Sequence, residues 1–111
     1  MYVNFEAGNK AYRLRLNTRN IVLLEKQLGC NPLSIFGTTG AEQIPTITVM
    51  VAVLHASLQQ YNHGITLNDA YDIFDAYLEE HSTTDFVGVI MDIYKASGII
   101  PNDKEVDEKN A

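Results

Sequence analysis

The chain has 111 residues, 46% of them hydrophobic and 20% charged, with a formal net charge of −6. Those proportions fit one globular domain that buries about two thirds of its surface, and they exclude a collagen-like repeat, a disulfide scaffold and a mostly disordered chain. The single cysteine, Cys30, has no partner for an internal bridge, no apolar run reaches the roughly 18 residues of a membrane span, and residues 1–6 lack the layout of a signal peptide, so an intracellular protein is expected.

The first sixteen residues read as a β-hairpin. Val3 and Phe5 alternate with Asn4 and Glu6, and Tyr12, Leu14 and Leu16 alternate with Arg13 and Arg15. Gly8-Asn9 between them suits a tight turn. Two strands alone are marginal, so the apolar face must dock on helices. Asn17 or Thr18 caps the next element, with Ile21, Leu24 and Leu28 on one stripe and Gly29 as its stop. Asn31-Pro32 opens a short turn, and residues 37–45 form the most loop-like stretch.

Residues 46–61 begin with a β-branched run that favours strand locally. Over the whole window Ile47, Met50, Val51, Leu54, Leu58 and Tyr61 recur at three- and four-residue steps, which predicts a central helix apolar on most of its circumference. Gly64 ends it. Thr66 with Asp69, then Ser82 with Asp85, are paired start signals for two further helices. The first buries Leu67, Ala70, Tyr71, Phe74, Tyr77 and Leu78; the second carries Phe86, Val87, Ile90, Ile93 and Tyr94 to Gly98. The fold class expected is mainly α, a helical bundle with an N-terminal β-hairpin. Residues 1–100 form a single domain, and residues 101–111 a charged tail read as disordered.

Converging chemistry is hard to find. His55, His63 and His81 have no ligand spacing around them, Cys30 has no nearby base, and Gly37 and Gly40 lack the lysine of a phosphate loop. No catalytic residue, metal or cofactor is expected, and the protein is read as non-enzymatic. Charge is more informative. Residues 1–26 carry five cations against two carboxylates, and the rest of the chain three against twelve. An acidic chain whose later helices also start acidic does not suit nucleic acid. The asymmetry suits a protein contact instead. Arg13 and Arg15 lie on one side of a strand, while Asp72, Asp75 and Glu79 share a face of a helix. The expected contact joins that basic face to the acidic stripe of a second copy or of a client, with Tyr2 and Tyr77 at the rim supplying apolar contact.

The order of parts resembles a known family. A hairpin with Tyr12-Arg13-Leu14-Arg15-Leu16 precedes a helix ending Leu24-Glu25-Lys26-Gln27-Leu28-Gly29, then Asn31-Pro32-Leu33 and an all-α remainder. Within that remainder stand Leu54-His55-Ala56-Ser57-Leu58-Gln59-Gln60-Tyr61 and Ile93-Tyr94-Lys95-Ala96-Ser97-Gly98-Ile99-Ile100. This is similar to the small tail assembly chaperones of long-tailed bacteriophages, prophages and gene-transfer-agent-like particles. The resemblance implies a protein of the host cytoplasm that coats the tape-measure protein and helps recruit tail-tube subunits. It also implies departure before the particle is finished. A structural tail component and a small regulator or antitoxin-like binder are the alternatives.

Overall fold

A computed structural model describes residues 1–36 and 44–102. Strands β1 (Val3–Ala7) and β2 (Lys10–Leu14) pair antiparallel, with Phe5 opposite Tyr12 and Ala7 opposite Lys10. Gly8 at the first turn position has φ 63° while Asn9 keeps a negative φ, the combination of a type II′ hairpin turn. The pleat sends Phe5, Ala7 and Leu14 into the core and leaves Asn4, Glu6, Ala11 and Arg13 exposed. β2 ends at Leu14, two residues before the alternation does. There the chain turns away: the Arg15 N–H donates to the Ser57 carbonyl (2.9 Å) and the Leu16 N–H to the Ser97 hydroxyl (2.9 Å).

Helix α1 (Thr18–Leu28) is capped by the Asn17 side chain and ends at Gly29, whose φ of 72° favours glycine. A short 3-10 turn, Pro32–Phe36, is pinned to the last helix by Tyr94, whose hydroxyl donates to the Pro32 carbonyl at 2.9 Å. The remainder of the predicted loop, residues 37–43, lies outside the described residues, as does the tail from 103 onward.

Helix α2 (Ile47–Leu58) buries Met50, Val51, Val53, Leu54, Ala56, Ser57 and Leu58 and touches α1, β2 and the two later helices. Burial from Met50 onward explains why α2 is helical despite its strand-prone and largely exposed start. β-branched residues cost at most about 0.7 kcal/mol each in a helix, whereas burying one apolar side chain contributes about 1.5–3 kcal/mol. Two residues of the predicted stripe leave it: Ile47, in the first turn, is 51% exposed, and Tyr61, beyond the helix, is 39% exposed. Helices α3 (Leu67–Leu78) and α4 (Thr83–Ala96) start with the two capping boxes expected. In α3 the buried residues are Ala70, Phe74 and Tyr77, whereas Leu67 and Tyr71 face outward, against expectation. Phe5, Phe74, Tyr77 and Phe86 form an aromatic cluster where β1 crosses α3 and α4, with ring centroids 5.0–6.2 Å apart. The architecture is thus mainly α with an N-terminal hairpin. Among the described residues no helix is long and apolar enough to cross a membrane.

Candidate interaction surface

The strand period puts Arg13 on the open face of the hairpin, and its surroundings make it more than an isolated cation. Its guanidinium lies over the Tyr2 ring at 4.9 Å, and Tyr2 meets Tyr61 edge-on at 5.6 Å. Both tyrosines stay about two fifths exposed. The turn after α2 steadies this cluster, since the Asn62 side-chain amide donates to the Arg13 carbonyl at 3.4 Å. An exposed cation–π contact contributes only about 0.5–1 kcal/mol, but it holds the arginine in place before any partner arrives. Tyrosine and arginine are also the side chains enriched at protein-binding hot spots.

Arg15 is not the twin of Arg13 that the sequence suggests. It is half-buried, Nη1 donates to the Gln60 amide oxygen at 3.4 Å, and Nε is buried without a partner among the described residues. Its role is to hold the hairpin exit against the end of α2. Tyr77 also departs from expectation. It is 4% exposed and stacks on Phe5 at 5.0 Å, so it belongs to the core and not to an exposed rim. The cause is the docking of β1 on that side of α3.

The acidic stripe is present on α3, and its members differ. Hydrogen bonds from the Thr66 backbone and then its hydroxyl hold the Asp69 carboxyl below its ordinary range, so Asp69 serves the capping box. Asp72 and Asp75 are exposed about one and two turns further on. Glu79 sits at the C-cap, where the helix dipole already places negative charge and the last turn has no cation. An open groove of about 600 Å³ separates the hairpin turn from α3, with Lys10 on one wall and Asp69 and Asp72 on the other. Yet Lys10, Arg13 and Arg15 have no carboxylate within 4 Å among the described residues. The basic hairpin and the acidic helix do not neutralise each other inside the fold.

Other titratable groups stand apart. Desolvation lowers the pKa of His55, partly offset by a hydrogen bond to the Ile65 backbone, and its Nδ1 is buried without a partner among the described residues. Cys30 is exposed. Among the described residues no three His, Cys, Asp or Glu side chains gather as a metal would require. Arg13 was legible as an outward cation from alternation alone. Tyr61 was missed because helical spacing assigned it to the core, and the only signal against that was its place just before the turn residues Asn62 to Gly64.

Residues 3–111 match a family of unknown function, DUF6096. The chain belongs to the DUF6096 family. Comparisons with curated proteins and with solved structures gave no match.

Proposed function

We propose that the protein is a non-enzymatic tail assembly chaperone of phage or prophage tails, acting in the host bacterial cytoplasm. It would bind the tape-measure protein, keep it soluble, help recruit tail-tube subunits and leave before the particle is complete. In this reading the four helices form a bundle around α2 that carries the hairpin as its contact surface.

The observation that carries the reading is the exposed Tyr61–Tyr2–Arg13 cluster, whose cation has no carboxylate partner among the described residues. A client offering carboxylates and apolar side chains would satisfy both halves of it. The order of hairpin, Leu-Glu-x-x-Leu-Gly helix end and all-α remainder adds the resemblance in sequence. Asp72, Asp75 and Glu79 would then be free to meet Arg13 of a neighbouring copy along the client.

The test is co-expression with the tape-measure protein from the same tail gene cluster, followed by sedimentation. The wild type keeps the client soluble, and added salt weakens the contact. Arg13→Glu combined with Tyr2→Ser loses client binding while the circular dichroism spectrum is unchanged. Client solubility that does not depend on this protein refutes the chaperone role. Persistence of the protein in purified particles supports a structural tail component instead.

A further inference from the structure

The hairpin has two long edges, and the β1 edge has no backbone partner among the described residues. Ala7 opposes Lys10 across a two-residue turn, and the register continues through Phe5–Tyr12 to Val3–Leu14. Those are the hydrogen-bonded pairs of such a hairpin, so the backbone groups of Asn4, Glu6, Ala11 and Arg13 point away from the partner strand. On the β2 side the end of the strand is engaged: the Arg13 carbonyl accepts from Asn62, and the Arg15 N–H just beyond it donates to the Ser57 carbonyl. Both contacts fit that parity. On the β1 side the Asn4 and Glu6 backbone groups meet no partner among the described residues.

A groove of about 450 Å³ runs along that open edge, between Asn4, Phe5 and Glu6 on one wall and Tyr77, His81 and Val89 on the other. Its apolar part is Phe5, Tyr77 and Val89, with the His81 ring stacked on Tyr77 at 4.5 Å. Its charge is acidic. Glu6 stands on the rim, Asp85 lies 3.8 Å from His81 of the wall, and among the described residues no lysine or arginine contributes to the walls.

We propose that the β1 edge is a strand-addition site for an extended segment of another protein in which apolar residues alternate with lysine or arginine. The backbone of that segment would pair with Asn4 and Glu6, and its apolar side chains would enter the groove on every second residue. Its cations would stand on the other face, opposite Glu6, where unlike charges across a ladder attract. A second copy fits less well. Pairing β1 with β1 of another molecule brings a further Glu6 and no cation, and leaves the acidic groove uncompensated. The site uses neither Tyr2 nor Tyr61, so it stands or falls separately from the chaperone reading.

Amide hydrogen exchange on the whole protein tests the proposal, with the blocked peptide acetyl-Val-Lys-Val-Lys-Val-Lys-amide as probe. Exchange at Asn4 and Glu6 is fast in the free protein and slows at least about tenfold with saturating peptide, while Phe5, already bonded to β2, changes little. Two further peptides carry N-methyl groups on the valines or on the lysines, and one of these fails because its ladder is blocked. Glu6→Lys, at an exposed position, weakens the lysine peptide and gains the glutamate counterpart. Unchanged exchange at Asn4 and Glu6, or equal binding by both methylated peptides, overturns the proposal. Sedimentation as a dimer with those amides already protected also overturns it, and assigns the edge to a second copy.

Discussion

Replacing Tyr94 by phenylalanine removes one oxygen atom and isolates one bond. The ring is fully buried and meets Phe36 edge-on at 6.1 Å, contacts that phenylalanine keeps. What is lost is the 2.9 Å hydrogen bond to the Pro32 carbonyl, across 62 positions of sequence. A hydrogen bond contributes about 0.5–1.5 kcal/mol net, but deleting one partner strands the other without water. Because Pro32 is itself buried, the cost rises to about 1–3 kcal/mol. In a domain of this size each kcal/mol moves Tm by about 4–8 °C, so the variant melts at least about 4 °C lower. Urea unfolding followed by circular dichroism measures the same loss as a lower midpoint at unchanged slope. A midpoint equal to that of the wild type would show that the bond contributes nothing. It would also mean that the 3-10 turn is not held to α4 in the way described.

Leu54→Ala, at a fully buried position of α2, costs about 2–5 kcal/mol in urea unfolding, and a near-neutral result would contradict the central place of that helix. Thr66→Ala removes the hydroxyl half of a capping box and costs about 1 kcal/mol in thermal unfolding, with the effect confined to α3 amides in hydrogen exchange. Desolvation depresses the pKa of His55 below 6.5 in the folded state, so stability is full above about pH 6.5 and falls as pH drops through the folded value; His55→Gln flattens that segment of the stability–pH curve. Burial first, and nearby Cys30 second, push the Tyr94 phenol far above its ordinary 10.0, so stability holds below about pH 10 and declines above it. Tyrosine absorbance then shows the Tyr94 phenol titrating only on unfolding.

The local signals in this sequence were the dependable ones. Asn17, Thr66 with Asp69, and Ser82 with Asp85 cap the helices they were expected to open, because a cap involves only four neighbouring residues. Periodicity identified the faces of α2 and α3 but not where their neighbours end. Ile47, Leu67 and Tyr71 share the spacing of core residues and are exposed because no other described element covers them. The difference between Arg13 and Arg15 was also illegible. It arises where the hairpin exit meets Ser57 and Gln60, more than forty positions away. Tyr2 and Tyr61 come together in the same way, across the whole first half of the chain, and no local pattern encodes that meeting.

The bond from the Leu16 N–H to the Ser97 hydroxyl, spanning 81 positions, also bears on synthesis. At about 5–20 residues per second, the ribosome needs about 4–16 s to make the intervening chain. During that interval the hairpin has its turn but not its anchor at Ser97, and for most of it also lacks the aromatic residues Phe74, Tyr77 and Phe86 that will cover Phe5. Such a pair of strands is marginal alone, so the nascent chain exposes an apolar strand face until α4 is made. The fold closes at its end, and a ribosome that stalls before residue 97 would hold an unfinished and adhesive product.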